Sequence, residues 1–295
     1  MTGVSGRAGG SGDVEDDARE PRLLPLYLRA VLPRGGGDGV PDRTLRRRGV
    51  TPTVEHVAAY ARLCGFPLTS TLPVTYPHLL GFRLQLALMG DRAFPFPATG
   101  LVHVANRVEQ LHPVPVGAPL DVAVRAAGPR PHPKGRTVDL LTEVSLHGEL
   151  VWRSASTYLR RGAGTGSTDG GPPSPQVPEG LPTTATWRLP ADLGRRYAAV
   201  SGDRNPIHLS RPTAKALGFP RTVAHGMWTA AASVAALSGR LPDALTYDVA
   251  FRAPVLLPTT VDLCTHVEAG GTASLVLRSR SGRTHLLGEV TPSGR

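Results

Sequence analysis

The strongest constraint on how this chain can fold is an internal repeat. Residues 53–67 read TVEHVAAYARLCGFP and residues 190–206 read PADLGRRYAAVSGDRNP. Both are helical patterns that end at a glycine, with Tyr60 and Tyr197 standing at the same spacing before Gly65 and Gly202. Glycine just past a helix supplies a left-handed C-cap, so the endings follow from backbone chemistry alone. Each pattern leads to a histidine that opens a second helix: His78 before LLGFRLQLALM, and His225 before GMWTAAASVAALSG. Helices apolar on nearly every side are core helices. Alternating, β-branched stretches follow in both halves, and in each a Pro-bounded turn precedes a new strand, at Asp121 and at Asp262. One buried helix with four or five antiparallel strands per unit implies an α+β chain, each sheet wrapped around its helix. Two such sheets can pair edge to edge.

Composition sets the boundaries of the two units. Residues 1–20 are Gly-rich, then acidic, and too poor in apolar side chains to order themselves, so they are expected to form a disordered tail. Residues 161–182 (RGAGTGSTDGGPPSPQVPEGLP) have linker chemistry. The predicted units are therefore 21–160 and 183–295. No apolar run reaches the roughly 18 residues of a membrane-spanning helix, and the N-terminus lacks the order of a secretory signal. Two cysteines, Cys64 and Cys264, suit neither a disulfide framework nor a metal site. A cytoplasmic chain with free thiols and no membrane insertion is expected.

The net charge of +10 points toward a polyanion. All but two of the 33 basic residues are arginines, the exceptions being Lys134 and Lys215. Apart from Arg46, Arg47 and Arg48 they are spread along the chain, and aromatics make up only 5%. That pattern lacks the basic face and stacking platform of a nucleic-acid binder. A nucleotide-bearing thioester or an acidic carrier protein fits the charge better.

The chemistry concentrates in Tyr197–Ala236, around Ser201-Gly202-Asp203-Arg204-Asn205-Pro206-Ile207-His208. Gly202 releases the chain from a helix, and Pro206 forces Asn205 out of helical geometry, so an irregular, sharply turning loop is predicted. A carboxylate and an imidazole five residues apart on such a loop can converge to hold a water or shuttle a proton. Asp203 in isolation also fits an Asx-type turn, and Asn205 fits backbone support. At Ala224-His225-Gly226-Met227 a buried helix begins, with unpaired N–H groups and partial positive charge. Gly226 there either admits a ligand carbonyl to its N–H or relieves crowding against the sheet.

Tyrosine, then SGDRNPIH, then HGM before an apolar helix resembles the signature of the MaoC-like, hydratase-2 family of (R)-specific enoyl-thioester hydratases and dehydratases. The close match spans Tyr197–Ala236, and FRAPVLLP extends it over most of 183–295. The resemblance implies a double hot-dog fold, two helix-wrapping sheets paired as a pseudo-dimer, with a catalytic second unit. The first unit has lost its catalytic loop: Gly65 to His78 spans 13 residues against 23 from Gly202 to His225, and Phe66 stands in place of Asp203. It is left to line an acyl tunnel or to supply the partner sheet, with Leu79, Leu80, Phe82, Leu84 and Leu86 as wall or solid core.

The activity implied is reversible dehydration of a (3R)-hydroxyacyl thioester to a trans-2-enoyl thioester, as in fatty acid or polyketide-type metabolism. Asp203 and His208 are the implied catalytic pair, and Gly226 the oxyanion donor. His225, Met227 and Asn205 stand with Gly226 as substrate-binding candidates. No metal or redox cofactor is expected, and the substrate is carried on coenzyme A or on acyl carrier protein. A homodimer of such chains is compatible with this reading. A hot-dog thioesterase and a non-catalytic acyl-thioester-binding subunit are the competing readings.

Overall fold

The computed structural model describes residues 39–164 and 174–293, and the backbone of 13–16. Its strands run β1 (Asp13–Asp16), β2 (Arg43–Val50), β3 (Leu101–Gln110), β4 (Leu120–His132), β5 (Gly135–Leu146), β6 (Glu149–Arg161), β7 (Thr183–Leu189), β8 (Leu245–Phe251), β9 (Thr259–Val267), β10 (Ala273–Ser279) and β11 (Thr284–Pro292). They form one sheet in the order β1-β2-β4-β5-β6-β3-β8-β11-β10-β9-β7. Read inward from its two edges, β2-β4-β5-β6-β3 mirrors β7-β9-β10-β11-β8, which is the repeat expressed as topology. The two halves meet at β3 and β8, paired antiparallel from Ala105↔Ala250 to Gln110↔Leu245. Antiparallel pairing of like strands is what a two-fold axis requires. Edge-to-edge closure also removes the exposed edge that each half would otherwise carry. This is the double hot-dog, with its two sheets fused into one.

Each half wraps around a helix that the sheet buries. In α2 (Pro77–Met89) nine of thirteen residues are buried. Leu79, Leu84 and Leu86 among them are solid core, while Leu80 and Phe82 stay partly exposed. In α6 (Gly226–Ala235) every residue from Met227 onward is buried. Two further helices, α1 (Val54–Cys64) and α3 (Leu193–Ser201), end on left-handed Gly65 (φ 85°) and Gly202 (φ 76°), as their sequence predicts. They pack together across the two-fold, with Tyr60 and Tyr197 ring centres 6.4 Å apart. His56 Nε2 donates to the Val200 carbonyl (2.9 Å) and its Nδ1 accepts from the Tyr76 hydroxyl (2.7 Å).

One part of the expected disordered tail is a strand. Asp13–Asp16 runs parallel to β2, opposite Arg43–Arg46. A composition argument weighs side-chain burial, whereas adding a strand to an open edge uses backbone hydrogen bonds that acidic residues supply equally well. The remainder of that tail, and residues 165–173 of the expected linker, lie outside the described residues.

Candidate active site

Between α3 and α6 the second half carries an excursion that the first half lacks. It is built from two short helices, α4 (Pro206–Leu209) and α5 (Arg211–Ala216). Its entry, the SGDRNPI stretch, is wound by three successive side-chain turns. Ser201 Oγ accepts from the Asp203 N–H (3.1 Å), Asp203 Oδ1 from the Asn205 N–H (3.1 Å), and Asn205 Oδ1 from the Ile207 N–H (3.4 Å). Alternate residues of the motif thus hold the amide two positions on. The Asx turn at Asp203 and its place in the site coexist, because the turn uses only one carboxylate oxygen.

His208 does not lie on an irregular loop, as the sequence predicts, but on α4. Asn205 caps that single turn and Pro206 fills its first position. Proline at N1 is pre-set for a helix, so it ends the loop one residue after fixing Asn205. The imidazole is buried and its Nδ1 lies 2.7 Å from the Val223 carbonyl. A carbonyl only accepts, so Nδ1 carries the proton and Nε2 is a bare lone pair. Burial lowers the His208 pKa, against the opposing pull of the Asp203 charge and the Val223 hydrogen bond. His208 is thus a neutral base with one fixed tautomer.

His225 packs against both members of the pair. Its Nε2 donates to the backbone carbonyl of Asp203 (3.0 Å) and lies 3.8 Å from Asp203 Oδ2. Its ring stacks on His208, centres 3.6 Å apart and planes 24° from parallel, and packs against Tyr197 at 4.8 Å. Burial first, then the neighbouring His208, push its pKa down to about 3. It therefore holds both Asp203 and His208 in place while uncharged. Met227 is buried beside it, and Asn205 is committed to its cap.

Ligand atoms of Asp203, His208 and His225 lie within 4.8 Å of one another. In-plane lone pairs of two stacked imidazoles run side by side, however, and cannot converge on one ion at bonding distance near 2 Å. Asp203, whose side chain is 27% exposed, is the member of the trio open to solvent.

Gly226 is the sole residue from Thr222 to Ala235 that is not buried. It opens α6, whose first N–H groups receive no side-chain cap and carry the helix's partial positive charge. A Cβ here would approach the Phe251 ring to 3.2 Å. The crowding explanation of this glycine therefore applies, since Phe251 fills the space a side chain would need. The FRAPVLLP stretch has a further task that the sequence does not reveal. The Ala224 N–H bonds to the Val255 carbonyl and the Leu257 N–H to the Thr222 carbonyl (2.9 and 2.8 Å), pinning the end of the excursion next to His225.

Gly194 is a supporting residue that the sequence reading misses. A Cβ there would lie 2.2 Å from the His208 carbonyl oxygen, so α4 sits directly on α3. The one signal available is a glycine near the start of a helical pattern.

A double hot-dog with one half carrying an Asp/His pair at the N-terminus of its buried helix defines an acyl-thioester-type enzyme scaffold. Comparison with known proteins agrees. Residues 174–279 match the MaoC like domain. The chain is 39% identical to 3-hydroxyacyl-thioester dehydratase X of Mycobacterium tuberculosis over 278 residues, covering 92% of this chain and 98% of that protein. The crystal structure of HtdX from the same organism superposes with a TM-score of 0.75 at 37% identity, covering 85% of this chain and all of that one. A MaoC-like dehydratase from Phytophthora capsici shares the fold at 19% identity, with a TM-score of 0.70 over 85% of this chain and 95% of that one. The chain belongs to the MaoC-like dehydratase family.

Proposed function

We propose that the protein is a hydro-lyase that interconverts (3R)-hydroxyacyl thioesters and trans-2-enoyl thioesters plus water. The observation that carries this is the tautomer of His208, whose Nδ1 bonds to the Val223 carbonyl and leaves Nε2 bare, on a ring with a nitrogen within 4.8 Å of an Asp203 carboxylate oxygen and stacked on His225, the residue that opens α6. The 3-hydroxyacyl-thioester dehydratase of M. tuberculosis, aligned over nearly the whole chain, supports it.

The thioester carbonyl would rest on the Gly226 N–H, where the helix end stabilises the negative charge that builds on oxygen as C2 is deprotonated or protonated. In hydration, His208 Nε2 takes one proton from a water while the oxygen bonds to C3, and the same proton then passes to C2. Asp203 orients that water and stays ionised, so one base serves both transfers and the proton balance closes. Dehydration runs the same steps backward. These steps use side chains and backbone of the chain alone, with no metal or redox cofactor. The substrate would arrive on coenzyme A or on acyl carrier protein, both polyanionic and matched to the +10 net charge. Among the described residues no helix is long and apolar enough to cross a membrane, and both cysteines are free and buried. Those features support a cytoplasmic setting.

The test is the loss of enoyl absorbance when the protein is added to trans-2-enoyl thioesters of coenzyme A and of carrier protein, with chiral analysis of the product. The (3R)-hydroxy product is expected, with losses of about 100-fold or more for Asp203→Asn and His208→Gln. Release of free thiol would mean a thioesterase. Unchanged turnover in both variants would remove the pair from the mechanism.

A further inference from the structure

The first half has no catalytic excursion, yet it faces the site with groups that an alkyl-binding wall would not need. His103 on β3 and Tyr158 on β6 are cross-strand neighbours, their rings stacked 4.6 Å apart. The register shifts between His103 and Ala105, leaving Val104 as an extra residue. Such a bulge re-aims the side chain beside it. The His103 ring consequently reaches across the seam to Phe251, centres 5.0 Å apart, and Phe251 is the ring that packs on Gly226. On its other side stands His78 at the start of α2, 6.4 Å away and 18° from parallel.

Two nitrogens of this cluster, His103 Nε2 and His78 Nδ1, are buried without a hydrogen-bond partner among the described residues. His78 is only 4% exposed. A buried polar atom without a partner destabilises a fold, and an apolar side chain at either position would avoid that cost. The Asp203 charge raises the pKa of His78, His103 and Tyr158 alike, so the cluster lies within electrostatic reach of the catalytic carboxylate. Burial nonetheless dominates, holding the imidazoles neutral at about 4 and about 3. Neutral imidazole both donates and accepts, and this suits an uncharged oxygen rather than an anion.

We propose that His103, with His78 and Tyr158 beside it, forms a polar subsite for an oxygen carried on the acyl chain beyond the reacting carbons. The protein would thereby select hydroxy- or oxo-substituted acyl thioesters over plain alkyl ones. A plain alkyl chain laid here leaves the two nitrogens unpaired, and a site built to hydrogen-bond an oxygen rejects the analogue that lacks it. The proposal rests on the hydro-lyase reading for its substrate class.

The experiment compares plain trans-2-hexenoyl-CoA with its 4-, 5- and 6-hydroxy derivatives, using kcat/KM for turnover. Calorimetry with the saturated hexanoyl and hydroxyhexanoyl thioesters, which cannot react, gives binding separately. At least one hydroxy position is expected to be preferred by about tenfold or more in both measurements. The ratio should fall toward unity in His103→Phe and recover in part in His103→Gln. Tyr158→Phe, which keeps the ring, provides a second variant should His103→Phe fail to fold. Turnover of every thioester without preference would overturn the subsite, leaving water as the partner of those nitrogens, while the hydro-lyase reading stands. Preferential binding with no turnover, on coenzyme A and on the matching carrier-protein thioesters alike, would instead sustain the subsite and overturn the hydro-lyase reading.

Discussion

At the scale of single residues, two carbonyls dictate the state of two histidines in the candidate site. Val223 fixes the proton of His208 on Nδ1, and the Asp203 backbone fixes that of His225 on Nε2. Since burial lowers the His208 pKa, the base form persists below the ordinary imidazole value of about 6.5. The acid limb of kcat/KM should therefore fall below pH 6.5, and a limb at or above it would contradict a buried neutral base. His225→Ala removes the stacked ring and the bond to Asp203 without touching the reacting atoms. A fall in kcat of about 10- to 100-fold with little change in KM is expected. The types and spacing of Asp203 and His208 are legible in the sequence. The orientation of His225 is not, because it depends on where the chain returns after the 21 residues that separate it from Asp203.

At the scale of elements, the excursion is positioned by backbone packed on backbone. The space that a Cβ on Gly194 would need is taken by the His208 carbonyl at 2.2 Å, a rigid atom with no rotamer to yield. Gly194→Ala is expected to destabilise the fold by about 1–3 kcal/mol. It should also lower kcat by about 100-fold, since a displacement of the order of 1 Å at a catalytic group costs that much. Equilibrium denaturation beside steady-state kinetics checks both, and wild-type activity in the variant would show that α4 does not depend on α3. The α4 turn itself is only half legible. Pro206 reads as a loop marker from its effect on Asn205, yet the same residue begins a helix once Asn205 supplies a cap. Local rules here point both ways, and the contact with α3 decides between them.

At the scale of the whole molecule, the repeat is the most legible feature and the seam between the halves the least. Matching helices and strands announce two like units, but the sequence does not say that β3 and β8 are the strands that join. Arg107 marks the junction, 2.8 Å from Asp248 across the seam and 3.0 Å from Glu109 on its own strand. The seam also brings imidazoles of both halves into one interior, which sets how stability depends on pH. The folded values are about 4 for His78 and about 3 for His103 and His225, all below the unfolded value because burial penalises the charged ring. Above about pH 6.5 neither state is protonated and the full stability is present. As pH falls from there toward the folded values, only the unfolded chain takes up protons, and each group removes about 1.4 kcal/mol per pH unit. The thermal midpoint should therefore drop between pH 7 and pH 5, where carboxylates contribute little. Replacing His78 and His103 together by phenylalanine should flatten that slope, because two of the buried proton acceptors are gone. An unchanged slope in the double variant would mean that these rings reach water in the folded protein, and with it the polar subsite would lose its buried character.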